Sequence, residues 1–481
     1  MSRGSPRRGR LNEYGSFSER SVALKPIVEI NDLDRRIYEE KLRDFLPERM
    51  IDIHTHVWLD RLKKNVKRDR VVSWPSLVAK ENPIEDHLEC YKLLFPGKQV
   101  TPMIFPGLVN AESADGLNDY VSRCAAQHGL PALLFSVPQW SAQEVESKVV
   151  QGGFLPEKMI DIHTHVWLER LKKNVKRDRV VTWPSLVAEE NPIEDHLECY
   201  KLLFPGKQVT PMIFTSLVNA ESADGLNDYV SRCAKEHDLP ALLFTVPEWS
   251  AVEVERKVRE GGFLGIKVYL NLAPDYLPRQ EIRIFDFLPH HQLELLHEKG
   301  WIVMLHIPRD ARLRDPVNLA QILEIERRYP RARVILAHVG RAYCNEDVGD
   351  AFEVLKETER LVVDFSANTN ARVFEQLIRA LGCRRILFGS DLPILRMRMR
   401  RICEKGIYIN LVPKGLYGDV SGDPNMREVA GDEAAKLTLF MYEELLAFKQ
   451  AAERAGLSAG DLEDVFYNNS AALIEEAGKG R

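Results

Sequence analysis

Two histidines one residue apart, His163 and His165, stand in "IDIHTH", and three more polar residues close later apolar runs: His306 in "VMLH", His338 in "ILAH" and Asp391 in "LFGSD". On a strand, alternation places Asp161, His163 and His165 on one face and Ile160 and Ile162 on the other, where the apolar face would meet helices. Two imidazoles that point the same way can bind one metal ion. A His-x-His pair alone says little, because such pairs arise by chance. Position adds the weight: polar residues that end four separate strands of one barrel converge on one point, and that point is a metal site in this reading.

The elements that would position them follow from Met159 onward, where short apolar runs alternate with amphipathic stretches. Eight runs read as strands: "MIDIH" (159–163), "TPMIF" (210–214), "ALLFTV" (241–246), "LGIKVYL" (264–270), "WIVMLH" (301–306), "RVILAH" (333–338), "LVVDFS" (361–366) and "RILFGSD" (385–391). Segments between the later ones, such as "ARVFEQLIRALG", repeat apolar residues at helical spacing. Alternating β and α elements imply a parallel sheet, and eight of them predict closure into a (β/α)8 TIM barrel, an α/β fold.

In this order "IDIHTH", "VMLHIP", "ILAHVGR" and "FGSDLP" closely resemble the amidohydrolase superfamily, in particular its branch with 2-amino-3-carboxymuconate-6-semialdehyde decarboxylase. The resemblance spans nearly everything from residue 154 and ends in "VFYNNSAALI", which looks like that family's closing helix. It implies that His163, His165, His306 and Asp391 ligate one divalent metal, usually zinc, and that His338 contacts substrate. Three imidazoles and a carboxylate suit zinc, manganese or iron and leave room for a water. Metal lowers the pKa of such a water to about 7, Asp391 can serve as general base, and His338 can polarise the carbonyl under attack.

Lys267 lies within the fourth run, which continues with Val-Tyr-Leu, whereas two-metal relatives carry a bridging carboxylated lysine at the end of that strand; the one-metal branch implies a packing or substrate role instead. Arginine forks bind carboxylates, so Arg341 after the sixth strand and Arg396 after the eighth are candidates for an anionic substrate. The neighbouring Arg398, Arg400 and Arg401 in "LRMRMRRICEKG" read as a solvated helix face. Trp167 could wall the pocket or pack beneath it.

A repeat complicates this picture. Phe45 to Leu155 aligns without a gap to Phe154 to Leu264, with 15 differences over 111 positions. The expected organisation is a disordered tail to about residue 30 and a helix within 1–44, a duplicated three-strand β/α segment at 45–153, and the barrel at 154–481. Either copy could supply the first three strands, since inserting the spare one costs about 4 kcal/mol in both arrangements. Direct continuity into "GIKVYL", and charges at Lys235, Glu236, Asp238, Arg256 and Arg259 suited to exposed helices, favour the second copy. His54 and His56 are the alternative metal pair.

A net charge of -5 with both signs interspersed offers no case for nucleic acid, and no apolar run reaches the roughly 18 residues of a membrane span. Seven cysteines, an odd number without a CxxC pair, predict free thiols in a reducing cytoplasm. The expected activity is metal-dependent hydrolysis of a small carboxylated amide, ester or lactone. Non-oxidative decarboxylation on the same site is the runner-up. A non-catalytic oligomer or binding protein is the third possibility, because open sheet edges in a spare copy invite pairing between chains, a homodimer among the outcomes.

Overall fold

The computed structural model describes residues 30–64, 79–107, 110–140, 145, 148, 149, 154–173, 183–216 and 219–480. The expected disordered tail falls outside them. The chain enters through a short helix, Asp32–Ile37, whose first turn is capped by the Asn31 side chain accepting from Leu33 N and Asp34 N. The first repeat copy then forms β1 (Arg49–Val57) and β2 (Gln99–Pro106), which pair in parallel, followed by helix α1 (Ala111–His128). The third strand expected there is reduced to a single bridge between Ile104 and Ala132. This copy buries a small core of its own, built on Val57, Ile84, Ile104, Val121 and Cys124.

The second copy begins an eight-stranded parallel barrel. Its strands are β3 (Lys158–His165), β4 (Gln208–Phe214), β5 (Leu243–Phe244), β6 (Gly265–Lys267), β7 (Ile302–Leu305), β8 (Arg333–Leu336), β9 (Val362–Asp364) and β10 (Ile386–Leu387). Strands β3 and β4 pair, and β5 to β10 form one sheet in sequence order. Backbone hydrogen bonds close the circle on both sides: Ile213 N donates to Pro240 O and Leu242 N to Ile213 O, while Ile162 N donates to Phe388 O and His165 N to Leu392 O. Helices α2 (Ala223–His237), α3 (Ala251–Gly261), α4 (His290–Lys299), α5 (Pro316–Arg328) and α6 (Ala371–Leu381) alternate with the strands. Their ends carry local signals. Asp315 caps α5 ahead of Pro316, and α3 stops at Gly262 in the left-handed region.

The barrel interior differs from the alternation read off "IDIHTH". Ile160 and Ile162 join Met212, Leu264, Ile302 and Met304 in the inner layer, which the C-terminal helix closes from below through Ala477. The cause is a one-residue bulge, since Asp161 pairs with Pro211 but Thr164 with Ile213. The bulge breaks the period of two. Asp161 therefore leaves the histidine face and instead accepts hydrogen bonds from Tyr200 Oη at 2.7 Å and Ser390 N at 2.8 Å. It fastens β3 to the chain beyond β10.

Past the barrel, β11 (Arg398–Glu404), β12 (Ile407–Pro413), β13 (Met426–Val429) and β14 (Thr438–Leu439) form a second sheet in the order β13-β12-β11-β14. The arginine-rich segment is thus a strand, not the expected helix face. Lys405 and Gly406, both at positive φ, make the two-residue turn into β12. Helices α7 (Phe440–Ala455) and α8 (Asn469–Gly478) complete the chain. Free thiols are also corrected. Cys344, after β8, forms a disulfide with Cys403 on β11, their Cα atoms 5.8 Å apart, while the other five cysteines are unpaired. Spacing along the chain carried no trace of this bond, because folding brings together residues 59 apart.

Candidate metal centre and active site

Strand ends at one mouth of the barrel gather His163, His165, Lys267, His306, His338, Asp364 and Asp391. Close approach is possible because position 389 is glycine: a Cβ there would lie 2.9 Å from His163 Cβ and 3.3 Å from Ser366 Cβ. Left-handed backbone at His338 (φ 57°) and Asp391 (φ 61°), costly for residues with a side chain, turns both where their strands end.

Hydrogen bonds orient the rings. His163 Nδ1 lies 2.9 Å from Asp364 Oδ2, and His165 Nδ1 lies 3.1 Å from the Thr215 carbonyl. Each Nδ1 thus has an acceptor for its proton, which leaves the two Nε2 lone pairs for the interior. Both face Asp391 Oδ1, at 3.7 Å from His163 and 2.9 Å from His165. Across the mouth, His306 Nε2 is 2.8 Å from His338 Nε2, and His338 Nδ1 is 3.1 Å from the Ser366 carbonyl. Two groups of donor atoms result, His163 with His165 and Asp391, and His163 with His306 and His338, each drawn within 4.8 Å. His163 belongs to both.

Electrostatics suits cation binding. Burial, helped by the Lys267 charge, lowers the His163 pKa to about 3, and burial takes His306 well below its ordinary value too. These rings are neutral at pH 7, the form that ligates metal. Burial alone would raise Asp391, but the hydrogen bond from His165 and the nearby imidazoles hold it at about 2, so it is a carboxylate. Neutral imidazoles with fixed tautomers beside an ionised carboxylate are the donor set of a divalent cation.

Lys267 lies inside this cluster. Its Nζ is 3.2 Å from His163 Nε2 and 3.2 Å from His306 Nδ1, and burial lowers its pKa to about 7. Other candidates are placed elsewhere. Trp167 packs with Phe244, Val246 and Tyr269 in an apolar cluster, its indole donating to Glu189 O. Arg341 donates to the carbonyls of Ile307 and Pro308. Arg396 donates to Asn191 Oδ1 at 2.6 Å, and Asn191 Nδ2 donates to the His165 carbonyl, so Arg396 braces the metal strand instead of facing the mouth. His54 and His56 pack on Phe105, and His56 Nδ1 meets Pro106 O. Among the described residues neither joins a metal-sized cluster.

Sequence reasoning missed Asp364. It sits in "LVVDFS", the seventh strand, where a polar residue at an inward position was the available signal. Its Oδ1 accepts from His338 N at 2.8 Å, Ser366 N at 3.2 Å and Ser366 Oγ. Also missed was Arg401, which lines a cavity together with Asp391, Tyr343, Tyr408 and Trp183.

A parallel eight-stranded barrel with histidines and an aspartate at its strand ends defines a metal-dependent barrel enzyme class. The amidohydrolase family model matches residues 160–475, and the chain belongs to that family. No curated protein matches it. Among solved structures it is similar to 2,6-dihydroxybenzoate decarboxylase from Rhizobium, at 17% identity and TM-score 0.42, over 66% of this chain and 99% of that one. It is also similar to dihydroxybenzoic acid decarboxylase from Polaromonas sp. JS666 with bound manganese and 2-nitroresorcinol, at 16% identity and TM-score 0.40, over 66% and 97%. Amidohydrolase 2 from Bifidobacterium longum subsp. infantis gives 16% identity and TM-score 0.39, over 66% and 99%. Likeness this distant says nothing of the reaction. Among the described residues no helix is long and apolar enough to cross a membrane.

Proposed function

We propose that this protein is a metal-dependent hydrolase of the amidohydrolase type, acting on a small anionic amide, ester or lactone. The observation that carries the reading is the convergence of His163 Nε2 and His165 Nε2 on Asp391 Oδ1, with both Nδ1 atoms occupied by fixed acceptors. His163, His165, His306 and Asp391 would hold one divalent cation, zinc first, with manganese or iron as alternatives. When bound, such a cation makes water acidic enough to yield a nucleophile near neutral pH. Asp391, ionised and half-turned toward the cavity, accepts the proton of the attacking water and returns it to the leaving group. His338, its Nδ1 directed at the Ser366 carbonyl, presents Nε2 at the mouth as the group that contacts substrate. Burial, with the Lys267 charge second, disfavours protonation of His163.

Non-oxidative decarboxylation is the second reading. It is favoured by the line of Lys267, His306 and His338, a relay screened from water that could hand a proton to carbon. Product analysis separates the two: 18O taken from water into product supports hydrolysis, and released CO2 supports the lyase. The enzyme reading itself is tested by metal content. Wild type should hold one equivalent per chain by plasma mass spectrometry, His163→Ala/His165→Ala should lose it, and His54→Ala/His56→Ala should retain it. Metal-free wild type after incubation with zinc or manganese would sink the proposal.

A further inference from the structure

Two arginines flank one pair of tyrosines at the mouth of the barrel, and only one of them has a counter-ion. Tyr343 and Tyr408 meet edge to face with ring centroids 4.9 Å apart. The Arg312 guanidinium lies 5.4 Å and 4.9 Å from those rings and pairs with Asp347 at 2.7 Å. Arg401 lies 4.5 Å from the Tyr343 ring, 4.8 Å from Tyr408 and 4.8 Å from Phe440. Its hydrogen bonds go to neutral acceptors, Nε to Asn410 Oδ1 at 2.8 Å and Nη1 to Ala367 O at 2.6 Å. Among the described residues no carboxylate comes within ion-pair distance of it. Glu444 is fully buried nearby without forming an ion pair to Arg401, and burial pushes its carboxyl well above the usual range.

A cation enclosed by aromatic faces without a counter-ion costs free energy, which an arriving anion recovers. Two bonds and three rings fix the fork, and Nη2 has no acceptor among the described residues. Asp391 and Arg401 line the same cavity, so an anion on the arginine lies beside the proposed chemistry. Phe440 opens α7; the other two cage walls come from the loop after β8, carrying Tyr343, and the β11–β12 hairpin, carrying Arg401 and Tyr408. The Cys344–Cys403 disulfide joins them at that level.

We infer that Arg401, caged by Tyr343, Tyr408 and Phe440, is the anion-recognition residue of this cavity and selects a monoanionic carboxylate on the substrate. The inference rests on the proposed enzyme reading for the chemistry performed beside it, but binding at Arg401 is testable without turnover. A carboxylate is favoured over a phosphate because Asp391 and Asp423 already line the cavity and oppose a dianion. Its two oxygens match the planar guanidinium fork.

The test is calorimetric titration of the full-length, metal-treated protein with benzoate, benzamide and phenyl phosphate at pH 7. Wild type should bind benzoate in the millimolar range or tighter and at least tenfold better than benzamide. Arg401→Gln should weaken benzoate by about 10- to 100-fold, the range of a charge-assisted hydrogen bond, with benzamide unchanged. Arg401→Lys should recover part of the loss, and Arg400→Gln, on the opposite side of the strand beside Glu443, should behave as wild type. If Arg401→Gln loses its near-ultraviolet circular dichroism, Asn410→Ala, which frees Nε, replaces it and should weaken benzoate several-fold. Equal benzoate affinity in wild type and the folded variant, equal affinity for benzoate and benzamide, or preference for phenyl phosphate would each overturn the assignment. Metal counted on the same samples keeps the two ideas apart: metal-loaded protein with Arg401-independent benzoate binding removes only the subsite, and metal-free protein with Arg401-dependent binding removes only the enzyme reading.

Discussion

Asp364→Asn changes one heavy atom and tests the whole arrangement of the proposed metal centre. In the wild type, Asp364 Oδ2 accepts from His163 Nδ1 while Oδ1 accepts from His338 N, Ser366 N and Ser366 Oγ. The carboxylate is fully buried, yet the His163 and Ser366 hydrogen bonds and the neighbouring imidazoles overcome burial and hold it below the usual range. An asparagine keeps one acceptor and gains two N–H donors. If its oxygen stays with the three donors, its amide faces His163 Nδ1, which must then accept, and the imidazole proton moves to Nε2, the atom aimed at Asp391. If it flips, the amide meets three other donors. The first outcome costs less, and it removes His163 as a ligand until the tautomer is restored. Loss of such a partner weakens metal binding about 10- to 100-fold, or roughly 1.4 to 2.7 kcal/mol. Competition for zinc against a chromophoric chelator measures this, with near-ultraviolet circular dichroism as the fold control. A folded variant whose zinc affinity stays within about twofold of wild type would refute the claim that Asp364 sets the His163 tautomer.

Three further outcomes follow from the same coordinates. Ile160 and Ile162 are 6% and 0% exposed, whereas Ile51 and Ile53 are 70% and 69% exposed; truncation to alanine should cost about 2 to 5 kcal/mol at each barrel position and within about 0.5 kcal/mol at each copy-one position, read from urea midpoints, and equal costs would contradict the barrel assignment. The disulfide closes a span of 59 residues, so reducing it should lower stability by about 4 kcal/mol on chain-entropy grounds, and coincident unfolding curves with and without reductant would contradict a formed bond. His196 is buried, and burial first, then the Arg396 and His165 charges, lower its pKa to about 3. A depressed folded pKa gives stability that is present above the unfolded value near 6.5 and lost as pH falls toward 3. Between pH 7 and pH 5 this one residue should remove about 2 kcal/mol in wild type but not in His196→Gln, and equal losses in both would show that His196 does not carry the effect.

The barrel was legible because its signals are local. Each of the eight apolar runs overlaps a strand of the observed barrel, and α6 shows why helices could be read: Val373, Phe374, Leu377, Ile378 and Leu381 are buried at helical spacing. What stayed hidden depends on contacts between distant residues. The bulge at Asp161 to Thr164 leaves no mark in composition, yet it sends Asp161 to Tyr200 and turns Ile160 and Ile162 inward. Arg396 and Arg401 sit five residues apart in one basic stretch, and nothing in their spacing says that one braces Asn191 while the other faces the cavity. That difference arises from a strand hidden in the arginine run, where Met399 is buried between half-buried Arg398 and exposed Arg400.

The two copies of "MIDIHTHVW" show how far local sequence reaches. Both form parallel strands with the same bulge, so the nine residues and the partner strand copied with them are enough for local structure. Both place an analogous imidazole against the carbonyl at the end of the next strand, His56 on Pro106 and His165 on Thr215. Beyond that they diverge. His163 finds Asp364, Lys267 and Asp391, all supplied by sequence that occurs once in the chain. Ile302, Met304, Ile335 and Leu387 of the inner layer and the C-terminal helix beneath them also occur once, so Ile51 and Ile53 keep the apolar face of a barrel wall and stay about 70% exposed. A cluster built from four strands, β3, β7, β8 and β10, cannot be duplicated by copying the first of them. Substitution at His54 or His56 should therefore leave both metal content and stability where they are.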